Sequence, residues 1–125
     1  MAASAPVTDL ARPSPPASHP ALGLLVLYTE RLEACRAFYA GLGLALVAEQ
    51  HGDGPAHWSA ELGPGCVLEL YPAGGQPPTG RLRLAFTVPY VPGGPAPGRH
   101  RREDPDGRVV LVTVVQPGEA EGSTT

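Results

Sequence analysis

One segment of this 125-residue chain carries helical periodicity, and it lies between two apolar runs of strand length. In TERLEACRAFYAGLGL (residues 29–44), Leu32, Cys35, Tyr39 and Leu42 recur at the three- and four-residue spacing of a single helix face. Thr29 is a good N-cap type, Glu30 suits the positive helix start, and Gly41 or Gly43 can end the helix. The run before it is Ala21–Tyr28 (ALGLLVLY), and the run after it is Leu44–Glu49 (LALVAE). The turn HGDGP follows. Two more strand-length runs, Ala56–Leu62 and Cys66–Tyr71, are joined by the tight Gly63-Pro64-Gly65. The predicted order is β-α-β-β-β.

The second half holds strands without a helix. Arg81–Val88 (RLRLAFTV) alternates, with Arg81, Arg83, Ala85 and Thr87 on one face and Leu82, Leu84, Phe86 and Val88 on the other. The segment Pro89–Arg102 holds four prolines, which forbid a helix, and is read as a linker. Asp104-Pro105-Asp106-Gly107 is a turn, and Arg108–Val115 is the last strand. Residues 1–20 and 116–125 lack hydrophobic periodicity and are expected to be disordered tails, leaving one domain over residues 21–115.

Composition narrows the function classes. Net charge is −3, every cation is Arg, and the one basic cluster, Arg99–Arg102, is followed at once by Glu103, Asp104 and Asp106. That pattern argues against a nucleic-acid surface. No run approaches the ~20 apolar residues of a membrane span, and the first residues lack the basic start and apolar core of a signal peptide. Cys35 and Cys66 form no CxxC, so the expected state is reduced thiols in the cytoplasm.

Strand parity locates the polar residues. If Leu62 and Cys66 flank the three-residue turn as a pair, Ser59 lies opposite Glu69 and His57 opposite Tyr71. His57, Ser59, Glu61, Val67, Glu69 and Tyr71 then share one face. Trp58, Ala60, Leu62, Cys66, Leu68 and Leu70 share the other, and that apolar face should pack on the helix. Glu69, inside the otherwise apolar CVLELYP, thus points away from the core.

A β-α-β-β-β unit, then an alternating strand, then DPDG before a final strand resembles the vicinal oxygen chelate superfamily of glyoxalases, bleomycin-resistance proteins and extradiol dioxygenases. The matching pieces are LVLYTERLEACRAFYAGLGL, EQHGDGPAHWSAEL, VLELYP and REDPDGRVVLV. The resemblance implies an α+β fold with a complete module over residues 21–72 and a truncated module over 81–115, the Pro/Gly linker 89–102 lying within it. Together they would form a curved, mostly antiparallel sheet around a cavity. It also implies that module strands run 1-4-3-2 across a sheet. The linker would stand where relatives place a second helix and the outer strands, leaving only the central strand pair and an uncovered apolar face of Leu82, Leu84, Phe86, Val88, Val110, Val112 and Val114.

Catalytic members of the superfamily hold a divalent metal at four places, which fall here on Leu24, Glu69, Arg83 and Leu111. Only Glu69 is a ligand type, and two aliphatic residues and a cation cannot complete a His/carboxylate site. The expectation is no metal, no cofactor and no catalytic residue, with Arg83 poised to pair with Glu69 in one chain or across a dimer. His57 is read as a hydrogen-bonded wall residue, with a general base or ligand contact as the alternative. His51 is read as a structural or solvated turn residue, Tyr71 as lining the pocket edge, and both cysteines as inert core thiols.

The resulting expectation is a metal-independent small-molecule-binding protein, with His57, Ser59, Glu69, Tyr71, Arg83, Leu24 and Leu111 around the ligand. Val26, Tyr28 and Val115 would add apolar walls. A homodimer is expected to bury the uncovered face or share the cavity. The alternatives are a metalloenzyme (lyase, isomerase or dioxygenase) with a rearranged metal site such as His57 with Glu69, and a degenerate interaction module.

Overall fold

A computed structural model describes residues 19–117. The expected tails lie almost wholly outside the described residues. The order is β1 (Leu24–Thr29), α1 (Leu32–Gly41), β2 (Val47–Glu49), β3 (His57–Glu61), β4 (Val67–Pro72), β5 (Arg83–Pro89), β6 (Gly98–Glu103) and β7 (Val109–Val115). The first four strands form one sheet in the order β1-β4-β3-β2, and the last three form a second in the order β5-β7-β6. β1 runs parallel to β4, and β5 parallel to β7, while the remaining pairs are antiparallel. The two sheets stay separate and neither closes.

The first sheet has the 1-4-3-2 order implied by the resemblance. The second has the same order with its second strand and its helix missing. One expectation needs correction here. The stretch read as linker up to Arg102 contains β6, paired antiparallel with β7 from Gly98↔Val114 to Glu103↔Val109. All four prolines of that segment precede Gly98, so nothing in GRHRRE blocks a ladder. The strand is polar because it forms an exposed edge, and its sequence carries no alternation to reveal it.

The helix begins later than its best capping residue. Arg31 occupies the N-cap without a side-chain cap bond, and the Thr29 hydroxyl instead accepts the Arg31 N–H at 2.9 Å. Beyond the C-terminus, Gly43 takes φ +112°, a conformation that a Cβ would strain.

Among the described residues, α1 shares one core with both sheets. Leu27, Ala60, Leu68 and Leu70 of the first sheet and Val88, Val110, Val112 and Val114 of the second join Cys35, Tyr39 and Leu42 in one buried core. Val110 and Val112 are 0% and 1% exposed, and the Phe86 ring meets Tyr39 edge-on with centroids 6.1 Å apart. Of the apolar face expected to be bare, Val88, Val110, Val112 and Val114 are therefore covered within the chain, while Leu82, Leu84 and Phe86 are half-buried. Fully burying a large side chain contributes roughly 1.5–3 kcal/mol, so the covered valines hold the second sheet to the first despite the truncation.

A buried polar knot ties the pieces together. The Tyr39 hydroxyl donates to Asp104 Oδ2 at 2.7 Å, and the Arg108 guanidinium donates to the same oxygen at 2.6 Å. Arg108 also donates to Asp106 Oδ2, to the Tyr28 carbonyl of β1 and to the Thr79 carbonyl, at 2.9, 3.1 and 3.3 Å. The segment DPDGR is thus more than a turn, because its side chains bind the helix, β1 and the inter-module connection at once.

Candidate functional site

The antiparallel ladder places Glu49 of β2 directly across from His57 of β3, and Ser59 of β3 across from Glu69 of β4. Period two then sets these four side chains on the face of the first sheet turned away from the helix. Leu24, Val26, Tyr28 and Tyr71 share that face, since β1 and β4 pair with Val26↔Glu69 and Tyr28↔Tyr71 in register.

Aromatic rings run in a row across it. Tyr28 and Tyr71 lie 5.9 Å apart, the His57 ring stacks on Tyr71 at 4.0 Å and 12°, and His51 follows at 5.2 Å. Tyr28 and Leu24 remain 44% and 54% exposed at one end. Burial pushes the Tyr71 hydroxyl up from its ordinary value, with the Glu69 carboxylate adding to the effect, so it stays a hydrogen-bond donor at neutral pH.

His57 is the buried anchor of the face. Its Nδ1 lies 3.1 Å from the Pro55 carbonyl oxygen, and its Nε2 lies 3.2 Å from Glu49 Oε1 and 4.0 Å from Glu69 Oε2. His51, in the turn between β2 and β3, brings its own Nε2 to 3.4 Å from the same Glu49 oxygen. That turn is held by Gly54 N–H donating to the His51 carbonyl and by the Gln50 side-chain amide donating to the Gly54 carbonyl, both at 2.9 Å.

The structure brings together four of the expected site residues, His57, Ser59, Glu69 and Tyr71, with Leu24 on the same face. Arg83 and Leu111 belong to the second sheet, on the face opposite its buried valines. Within the chain Arg83 makes no hydrogen bond or ion pair with Glu69, whose carboxylate lies instead 4.0 Å from His57 Nε2. The four superfamily metal places are therefore divided between two sheets, and three of them carry no ligand atom that suits a divalent ion. The residues present do not fit that metal.

Glu49 has no assigned role from sequence, and His51 is read there only as a structural or solvated turn residue. The usable signal was parity: the antiparallel pairing that sets His57 beside Tyr71 also sets Glu49 beside His57 once the β2–β3 hairpin is closed. A separate apolar cleft of about 590 Å³ opens elsewhere, between Leu22, Leu25, Leu44 and Leu62 on one side and Leu84 and Phe86 on the other. None of the expected site residues lines it. Cys66 does line it and is half-buried, whereas Cys35 is a buried core thiol whose proton burial helps to retain.

No protein-family model and no curated protein matches the chain. Solved structures do. TnmS3, an antibiotic binding protein from Streptomyces sp. CB03234, is 20% identical, with 79% of this chain and 98% of that one covered and a TM-score of 0.50. The chain shares the fold of that protein. A lactoylglutathione lyase from Agrobacterium tumefaciens is 21% identical over 79% of this chain and 95% of its own, with a TM-score of 0.45. A glyoxalase/bleomycin resistance protein/dioxygenase from Nocardioides is 20% identical over 90% and 91%, with a TM-score of 0.43. Among the described residues no helix is long and apolar enough to cross a membrane.

Proposed function

We propose that this glyoxalase-like chain is a small-molecule-binding protein whose ligand lies on the outer face of the first sheet and is held without a metal at the four superfamily places. The observation that carries this reading is the ring row from Tyr28 through Tyr71 to His57. Exposed Tyr28 and half-buried Tyr71, the latter backed by the buried His57 ring, offer stacking area at low entropic cost, and Ser59 and Glu69 beside them supply a few polar contacts. TnmS3, which has the same fold, is an antibiotic binding protein. A planar, partly aromatic ligand with a hydrogen-bond donor for Glu69 matches these surroundings best.

The open face supports a second element of the proposal. Leu24 and Tyr28 are exposed on the first sheet and Leu111 on the second. A homodimer that sets the Arg83–Leu111 face of one copy over the ring row of its partner would close the cavity that one chain leaves open. The two free thiols suit the reducing conditions of a cytoplasm.

A melting-temperature screen with planar aromatic compounds in the presence of EDTA tests the reading. A compound at ~100 times its Kd stabilises by about 2.7 kcal/mol, and Tyr28→Ala should remove that shift. Stabilisation only by compounds lacking a ring system, or none without added metal, would overturn it.

A further inference from the structure

The geometry points to a divalent transition-metal site of the zinc type, built from Glu49, His51 and His57 at the mouth of the β2–β3 hairpin and separate from the four superfamily places. The three residues offer ligand atoms that all lie within 4.8 Å of one another. Two of the separations, 3.2 Å from His57 Nε2 and 3.4 Å from His51 Nε2 to the Glu49 oxygen, suit a tetrahedral shell. Zinc bonds of ~2.0–2.2 Å place neighbouring ligand atoms about 3.3 Å apart. His51 is 58% exposed, so rotation of its side chain can close the remaining distance.

The hydrogen bonding of His57 supplies the independent argument. A carbonyl oxygen only accepts, so the contact with Pro55 requires a proton on Nδ1. In the neutral ring the Nε2 lone pair then faces a carboxylate oxygen at 3.2 Å, acceptor against acceptor, on a side chain that is 1% exposed. A cation between them turns that repulsion into attraction. An imidazole whose other nitrogen donates to a backbone carbonyl is also the arrangement that orients histidine ligands in metal sites.

The donor set selects the metal. Two imidazoles and a carboxylate suit zinc, nickel or copper, whereas calcium and magnesium take oxygen ligands. Glu69, with Oε2 4.0 Å from His57 Nε2, stands close enough to add a second negative charge. With three protein ligands one position stays open beside the ring row, as in zinc sites that bind a water or a small molecule.

The test uses the full chain, stripped with EDTA and titrated with Zn(II) against a chromogenic chelator. One equivalent should bind, and Glu49→Gln and His51→Ala should each weaken binding at least about tenfold, while His100→Ala leaves it unchanged. His51 is exposed, so its variant folds even if a His57 variant does not. Replacement by Co(II) should give visible bands that the His51→Ala protein lacks. Failure to retain zinc against the chelator would mean that His57 and Glu49 share only a proton, and would overturn the site. Equal affinity in wild type, Glu49→Gln and His51→Ala would overturn it too. Because the probe is the metal alone, neither result bears on whether planar compounds bind in EDTA.

Discussion

The guanidinium of Arg108 reaches the carboxylate of Asp104 at 2.6 Å, with side chains 1% and 0% exposed. Asp104 also accepts from Tyr39 of the helix, and Arg108 donates to the Tyr28 carbonyl of the strand that starts the ring row. This pair joins the second module to the sheet that carries the candidate site.

Breaking it should therefore be costly. A buried ion pair that loses one partner leaves an uncompensated charge, and Arg108→Met should destabilise by about 3–5 kcal/mol in urea unfolding. Removing both charges with Asp104→Leu should cost less than the sum of the two single changes. Loss of under about 1 kcal/mol for Arg108→Met would place the pair with surface ion pairs instead.

Acid should weaken the same knot. Burial pushes the Asp106 carboxyl up, but hydrogen bonding from Thr29 and Arg31 and the charge of Arg108 outweigh it, so its pKa lies below the ordinary 3.8. A carboxylate with a depressed folded pKa contributes stability that is present above 3.8 and lost as pH falls through the lower, folded value. Asp106→Asn should lower stability at neutral pH and flatten the fall in stability below the usual carboxylate range. A parallel pH profile for wild type and variant would contradict this.

Phe86 tests how the second sheet is covered. Its ring packs on Tyr39 inside the chain, so Phe86→Ala should destabilise by up to ~3 kcal/mol, the low end for a half-buried phenylalanine. Sedimentation of any folded Phe86 variant should match wild type. A clean shift from dimer to monomer with unchanged melting would return Phe86 to an interface.

Glu69 and Arg83 should behave independently in dilute protein. Glu69→Gln and Arg83→Leu should add within about 0.3–0.5 kcal/mol in a double-mutant cycle, since no contact joins them in the chain. Coupling that grows with protein concentration would show that they meet between copies.

The fold was legible where a strand has one wet face and one dry face. Leu68 and Leu70 alternate with Val67, Glu69 and Tyr71, and the facing of Ser59 and Glu69 follows from the Gly63-Pro64-Gly65 turn alone. β6 escaped because an exposed edge strand shows no alternation. Arg108 escaped because a lone arginine before an apolar strand reads as solvated, and only the tertiary fold brings Asp104, Asp106 and the Tyr28 carbonyl around it. The cover of the second sheet was misjudged for a related reason: sequence spacing says which residues of α1 are apolar, not how many sheets they meet. Of the candidate site, the shared face of His57, Ser59 and Glu69 followed from parity. The partnership of His57 with Glu49 and His51 depends on a hairpin register that the short β2 leaves weakly marked.

The most direct test of the binding reading is to follow the ring resonances of Tyr28, Tyr71 and His57 by NMR while planar aromatic compounds that raise the melting temperature are titrated in EDTA. The account predicts that these three shift together and saturably, with smaller changes at residues of the Leu25–Leu62–Phe86 cleft. Shifts confined to that cleft, with the ring row unmoved, would contradict it.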